Sequence, residues 1–275
     1  MHTQLEKGRA FRALHACEGA FLIPNPWDRG SARLLEMLGF KALATSSAGY
    51  AYSLGKPDAA VGREAMLAHV ADLASAVDLP LSGDLENGYG DAPEEAAQTI
   101  LLGAAAGLVG GSIEDATGRP SDPIYEIDLA VDRVQAAAEA AHALPFPFTL
   151  TARCENFLHG REDIDDTILR LRAYQEAGAD VLYAPGLRRL EDIAAVVRSV
   201  KRPVNVLAGP GFAMSVLAEL GVRRVSVGSA LARIALTAFH RAAREMAEDG
   251  TFTRAADAIG YAEFNGMFRE PRSER

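Results

Sequence analysis

The chain has 275 residues, 49% of them hydrophobic and 24% charged, and a formal net charge of -9. That is enough apolar material for one large core of the α/β-barrel size, about 250 residues. The acidic balance and the lack of any basic tract argue against a nucleic-acid partner, and no apolar run reaches the ~18–20 residues that span a bilayer.

The first residues, MHTQLEKGRAFRALHA, alternate charged and apolar side chains at helical spacing. They lack the long apolar stretch of a secretory signal. Cys17 and Cys154 show no metal-ligand spacing and cannot form a disulfide scaffold, so a reducing cytoplasm is expected.

From there the chain repeats one unit, an apolar strand followed by an amphipathic helix. The spacing predicts strands at 21–23, 41–45, 80–84, 108–113, 147–153, 180–184, 203–207 and 222–227. Helices are predicted at 28–38, 62–78, 93–106, 125–142, 163–177, 189–199, 212–220 and 229–248. Pro93 reads as a first-turn proline, with Glu94 and Glu95 at the positive helix end. Gly39, Gly107, Gly178 and Gly221 read as helix terminators in four similar phrases, MLGFKAL, AAAGLVG, EAGADVL and ELGVRRV. Eight such pairs predict a closed (β/α)8 barrel of TIM type, in one domain over 1–275, with extra C-terminal helices. An open doubly wound sheet is the alternative. The stretch TFTRAADAIGYAEFNGMF reads as helical and suited to packing on a neighbouring subunit, and the charged tail REPRSER as frayed.

A barrel carries its active site at the C-terminal ends of its strands. In order, those ends hold Asn25, Trp27 and Asp28; Thr45, Ser46 and Ser47, with Asp58 further on; Asp84 and Glu86; Glu114 and Asp115; Arg153 and Glu155; Pro185; Asn205 and the turn Gly209-Pro210-Gly211; and Ser229. Asp58, Asp84, Glu86 and Glu114 come from three adjacent ends. Together they would repel one another unless a cation sits among them. An all-oxygen set suits Mg²⁺ or Mn²⁺ rather than zinc, and some of the acids would act through metal waters. The alternative is four independent turn or cap residues.

Arg153 could grip a substrate carboxylate or phosphate, or pair with Glu155 or Glu114. The small Thr45-Ser46-Ser47 turn could cradle a carboxylate or be an ordinary loop. Gly209-Pro210-Gly211 is a weak phosphate signal, His159 a possible proton donor or a solvated loop residue, and Cys154 a packing residue. Trp27 is either a core wedge or a pocket wall.

The segments NPWDRGSARLLEMLGFKALATSS, SLGKPD, GDLENGYG, GSIED, TARCENF and GADVLYAPG, in this order, resemble the isocitrate lyase/phosphoenolpyruvate mutase superfamily over about residues 21–230. The resemblance implies a (β/α)8 barrel, often a tetramer of dimers that exchange C-terminal helices. It implies a Mg²⁺ site for a 2-oxo acid or its enolate. Asp84 would be the principal metal ligand, with Asp58, Glu86 and Glu114 completing the shell or holding metal waters. Glu86 stands where Asp is more usual. The Thr45-Ser46-Ser47 turn would hold the substrate carboxylate, Arg153 its oxyanions, Trp27 the pocket wall, and Asn205 is expected on the substrate side.

The loop after Glu114, EDATGRPSDPIYEIDLA, departs from the family's lyases. The Lys-x-Cys-Gly-His type motif of isocitrate and methylisocitrate lyases is missing, as are the Lys and Asn-Ser elements of the phosphonomutases. Arg119 and Tyr125 on this loop could close over a substrate or be surface residues. The expectation is a Mg²⁺-dependent carbon–carbon lyase or decarboxylase for a small 2-oxo or 2-hydroxy dicarboxylic acid. The alternatives are phosphonate P–C chemistry and a barrel that only binds a metabolite. A homo-oligomer, with no membrane or nucleic-acid partner, is expected.

Overall fold

The structure, a computed structural model, describes residues 1–269. The first half of the chain forms α1 (Gln4–Ala16), β1 (Phe21–Ile23), α2 (Arg29–Met37), β2 (Leu43–Ala44), α3 (Ser47–Ser53), α4 (Arg63–Ala76), β3 (Leu81–Asp84), α5 (Pro93–Ala105) and β4 (Gly110–Glu114). A hairpin, β5 (Ala116–Arg119) and β6 (Asp122–Ile124), precedes α6 (Ile127–His142) and β7 (Thr149–Arg153). Then come α7 (Ile164–Glu176), β8 (Val181–Tyr183), α8 (Leu190–Ser199), β9 (Val204–Leu207), α9 (Met214–Glu219), β10 (Arg224–Ser226), α10 (Ala230–Glu248) and α11 (Tyr261–Met267).

Eight strands pair in parallel in the order β1-β10-β9-β8-β7-β4-β3-β2. The two end strands meet. The Ala44 N–H donates to the Pro24 carbonyl at 3.1 Å. Asn25 bridges the same seam: its amide donates to the Thr45 carbonyl at 3.0 Å, and its Oδ1 accepts from the Val227 and Gly228 N–H groups at 3.0 and 2.9 Å. The sheet is therefore a nearly closed (β/α)8 barrel, and the open-sheet alternative is excluded.

Alternation along the strands builds the two layers. On β7, Leu150 and Ala152 are buried among the hydrophobic residues that join strands to helices. Thr151 and Arg153 point the other way, into the barrel. There the lining is polar, with Ser82, Ser112, Asn205, Arg224 and Ser226, where barrels commonly place branched apolar side chains. Helix α1 plugs the N-terminal mouth. Its Phe11 is fully buried and meets His15 and Phe21 edge-on, at 4.8 and 6.5 Å between ring centroids.

The four glycine terminators stand where expected. At Gly107 φ is +109°, and an added Cβ would lie 2.8 Å from Ala74 Cβ, so only glycine turns the chain there. Two elements were not expected. The stretch from Thr45 was read as a turn, but Ser47–Ser53 form α3, capped by the Ser46 hydroxyl, which accepts from the Gly49 N–H. The loop after Glu114 folds on itself as the β5–β6 hairpin, which reverses at Pro120-Ser121 between the paired Arg119 and Asp122, with an irregular register at Gly118, φ +74°.

The C-terminal stretch is helical in two pieces, a 3₁₀ turn at Thr253–Asp257 and α11, separated by Ala258–Gly260. Ile234, Leu236, Phe239 and Met246 of α10 are exposed, as are Phe252, Tyr261 and Phe264. No helix among the described residues is long and apolar enough to cross a membrane. Apart from Arg269, the tail expected to fray lies outside the described residues.

Candidate active site

Arg153 ends β7 directly beside Glu114, its register partner on β4. Its guanidinium meets three carboxylates: Nη1 with Asp84 Oδ1 at 2.6 Å, Nη2 with Glu114 Oε2 at 3.0 Å, and Nε with Glu155 Oε1 at 2.9 Å. Burial works to lower the pKa of the arginine, but Glu114, Glu155 and Asp84 hold it well above the ordinary value. Burial likewise raises Glu114 and Glu155, with Arg153 opposing. Of the two roles read from the sequence, the ion pair is the one this geometry displays. All three edges of the fork are engaged.

The Thr45-Ser46-Ser47 stretch serves the acids. The Ser47 N–H donates to Asp84 Oδ2 at 2.9 Å, and the Ser47 hydroxyl to Asp58 Oδ1 at 3.1 Å. The Asp84 N–H donates to Thr45 Oγ1 at 2.8 Å. Two N–H groups expected to face a substrate are thus occupied, Thr45's by the Ser82 carbonyl and Ser47's by Asp84.

Glu86 is held in the left-handed region, at φ +49°, a conformation that costs a non-glycine residue on the order of 1 kcal/mol or more. Its neighbourhood enforces the geometry. The Glu114 N–H donates to the Glu86 carbonyl at 3.0 Å. Arg133, fully buried on α6, donates to the carbonyls of Asn87, Gly90, Asp91 and Ala92 and so clamps the following loop. Gly88 sits at φ +79°, where a Cβ would come 2.9 Å from Ala96 Cα. The hairpin is tied to the same loop: Tyr125 Oη donates to Asp91 Oδ1 at 2.5 Å, and Arg119 Nη1 pairs with Asp91 at 2.8 Å. Tyr125 is buried, so it and Arg119 brace this loop rather than reach over a substrate.

Two connected cavities open here. The inner one, about 170 Å³, is lined by Asp58, Asp84, Arg153, Asn205, Arg224 and the Thr45–Ala48 stretch, among others. The outer one, about 760 Å³, is lined by Glu86, Glu114, Glu155 and His159 and shares Ser47, Asp58 and Arg153 with the first.

Among the described residues, no three His, Cys, Asp or Glu side chains stand close enough to hold a metal ion on their own. The donor set nevertheless fits a hard cation bound largely through water. Mg²⁺ commonly takes one or two carboxylates directly and keeps several waters. Glu86 Oε1 is buried without a hydrogen-bond partner. Burial, then the charges of Asp84 and Asp58, push the Glu86 carboxyl up to about 8. An acid left neutral and unpartnered beside two other acids marks a place where positive charge is missing.

Other expectations sort as follows. Trp27 lines neither cavity; a Cβ at Gly49 would lie 3.2 Å from its own Cβ, so it wedges against α3. Asp28 caps α2 by accepting from the Ser31 N–H at 2.7 Å. Asp115 is buried in a network with Arg170 and Tyr174. Cys154 is core packing. Gly209-Pro210-Gly211 is an exposed turn away from both cavities. Sequence reading missed Arg133 and Arg224. For Arg224 the signal was present, a charged residue at an inward position of the strand RRVSV.

A parallel (β/α)8 barrel with charged side chains gathered at the C-terminal mouth is the arrangement in which barrel enzymes carry their chemistry. The phosphoenolpyruvate phosphomutase family model matches residues 11–247, and the chain belongs to that family. A Burkholderia cenocepacia structure, provisionally assigned as a lyase/mutase, is 62% identical with a TM-score of 0.95, covering 98% of this chain and 97% of that one. Oxaloacetate decarboxylase of Paraburkholderia xenovorans is 33% identical over 84% of this chain and 79% of the relative. The 2-methylisocitrate lyase of Escherichia coli is 30% identical over 72% and 68%. A phosphonopyruvate hydrolase solved with oxalate and Mg²⁺ shares the fold, with a TM-score of 0.84, 24% identity and coverage of 95% and 94%. The relatives at 30% identity or more thus include a decarboxylase and a lyase.

Proposed function

We propose that this protein is a Mg²⁺-dependent carbon–carbon lyase or decarboxylase that takes a small 2-oxo or 2-hydroxy dicarboxylic acid to a pyruvate enolate. The observation that carries the reading is the unpartnered, buried Oε1 of Glu86 within the cluster of Asp58, Asp84 and Glu114. Asp84 would hold the cation directly. Asp58, Glu86 and Glu114 would hold its waters, with Mn²⁺ as a substitute. When bound, Mg²⁺ supplies Lewis-acid stabilisation of charge developing on an oxo oxygen.

The chain's own residues do the rest. Arg153 aligns Glu114 and Glu155 and opposes the rise that burial gives their carboxyls, and one edge of its fork would be offered to substrate oxyanions. Ser47 fixes the Asp84 and Asp58 carboxylates through its N–H and hydroxyl. Thr45, Ser46 and Asn205 shape the inner cavity around the substrate. The hairpin after Glu114 carries no Lys, Cys or His and is pinned to Asp91. It offers no proton donor for the leaving product. Loss of neutral CO₂ needs no proton on the leaving group, and the enolate left behind can take its proton from solvent water in the open outer cavity, which favours decarboxylation over retro-aldol cleavage.

The test is pyruvate release from oxaloacetate, methylisocitrate, dimethylmalate and phosphonopyruvate, with Mg²⁺ and with EDTA. Metal-dependent release from oxaloacetate is the expected result. Turnover of phosphonopyruvate alone would move the assignment to P–C chemistry, which the family model's name favours as second reading. Binding without any turnover would leave a metabolite-binding barrel.

The same reading places a second copy of the chain over the exposed apolar face of α10 and its C-terminal helices. A chain that sediments as a 29.2 kDa monomer at micromolar concentration would sink that part.

A further inference from the structure

Arg224 is the odd charge of this barrel. It enters from the first residue of β10, is 5% exposed, and lines the inner cavity. Among the described residues it has no carboxylate within ion-pair distance. Its contacts are neutral: Nε donates to Asn205 Oδ1 at 3.0 Å, Nη2 to Thr151 Oγ1 at 2.9 Å, and Nη1 lies 3.5 Å from His15 Nε2. His15 can only accept there. Its Nδ1 faces the Phe11 carbonyl at 2.8 Å, and burial, then Arg224, lower its pKa to about 3. These contacts use three of the five N–H donors of a guanidinium. Burial lowers Arg224 to about 10, so it is still charged at neutral pH.

An isolated buried cation is costly, and proteins normally pair it. The chain's other buried arginines show the contrast: Arg170, 4% exposed, pairs with Asp115 and Asp166. Arg133 also lacks a carboxylate, but four backbone carbonyls absorb its charge. Arg153 has three acids. Among the described residues only Arg224 combines full charge, near-complete burial, sparse neutral partners and a wall of the cavity. The field along the cavity is therefore divided. Acids crowd the mouth around Arg153, and one uncompensated cation sits at the inner end.

We propose that the inner end of the cavity is a carboxylate-binding subsite, in which the free N–H groups of Arg224, oriented by Asn205 and Thr151, receive a carboxylate. Arg-carboxylate pairs are typically two-pronged, and the fork here is already held in place by its other contacts. Thr151 and Arg153 are two residues apart on β7, roughly 7 Å along a strand. That separation matches a short dicarboxylic acid lying along the cavity, one end at the acidic mouth and the other at Arg224. The subsite itself does not depend on the reaction; only the claim that the carboxylate belongs to the substrate rests on the lyase reading. It would then explain a preference for dicarboxylic over monocarboxylic 2-oxo acids.

The experiment measures malonate binding by calorimetry in EDTA, at fixed ionic strength, to wild type, Arg224→Gln and Arg224→Lys. Wild type is expected to bind saturably. Arg224→Gln is expected to lose at least tenfold in affinity while its thermal midpoint without ligand holds or rises, since a buried unpaired charge is gone. Arg224→Lys keeps the charge without the fork, should lose part of the affinity, and carries the test alone if the Gln variant does not fold. Equal malonate affinity in wild type and variant overturns the subsite. Chloride binding as tightly as malonate overturns its assignment to carboxylates. If pyruvate release is found, KM rising at least tenfold in Arg224→Gln with kcat little changed assigns the carboxylate to the substrate. Lost malonate binding with unchanged KM assigns it to a free carboxylate and supports the subsite without the substrate. Absence of any turnover bears on the proposed reaction and leaves the malonate result standing.

Discussion

Asp84→Ala is expected to lower metal-dependent kcat/KM at least ~1000-fold, a loss of about 4 kcal/mol in transition-state stabilisation. Asp84 stands at the junction of the site. One oxygen meets Arg153 at 2.6 Å and the other accepts the Ser47 N–H at 2.9 Å. Its removal takes away the proposed direct cation ligand and also releases Arg153 to swing toward Glu114 and Glu155. The fold should survive, because Arg153 keeps two acidic partners and the β3 ladder is unaffected. Circular dichroism and the thermal midpoint check that. EDTA on wild type should reproduce the loss, and adding Mg²⁺ back should restore wild type but not the variant. Turnover within tenfold of wild type in Asp84→Ala would mean that no essential cation is held through this residue.

Arg153→Met is expected to destabilise the metal-free protein by about 3–5 kcal/mol at neutral pH, the usual cost of leaving buried partners of a removed charge uncompensated. The methionine fills much of the volume, so the loss is electrostatic. The effect depends on pH with a definite sign. Burial already raises Glu114 and Glu155 in the folded state. A carboxyl whose folded pKa lies above its unfolded value binds more protons when folded. Stability is then highest below the ordinary carboxyl range, near 4.3 for glutamate, and falls as pH rises through the raised folded pKa. Arg153 opposes this shift, so its removal should steepen the fall. Urea unfolding at pH 5 and pH 7.5 in EDTA reads it directly: the variant should recover much of its deficit at pH 5. A deficit equal at both values would mean that lost packing, not exposed repulsion, is the cause.

Much of the fold was legible because its signals are local. Strand and helix periods, Pro93 at a helix start and glycines at four helix ends each depend on a few neighbouring residues, and the structure keeps the predicted elements to within a few residues. The exceptions are also local in cause. Ser46 can cap a helix or end a turn, and the chain uses it as a cap. The segment after Glu114 holds too few apolar residues to read as strands, yet it gains them by pairing with itself. The acids were legible too, as side chains at consecutive strand ends. Their partners were legible in part: pairing of Arg153 with Glu114 or Glu155 could be read, but Asp84 is far from Arg153 in the chain and meets it because β3, β4 and β7 lie side by side.

The sequence by itself determined the order of strands and helices, the barrel class, the family resemblance and the identity of the acidic residues at the strand ends. Periodicity and composition are enough for these, since each is a property of short segments. Tertiary structure alone decided how charges are shared. It assigned three carboxylates to Arg153, four carbonyls to Arg133 and none of either to Arg224, and it left Glu86 Oε1 without a partner. Those assignments follow from cross-barrel register and burial, which set the distance and dielectric between groups that no local pattern relates.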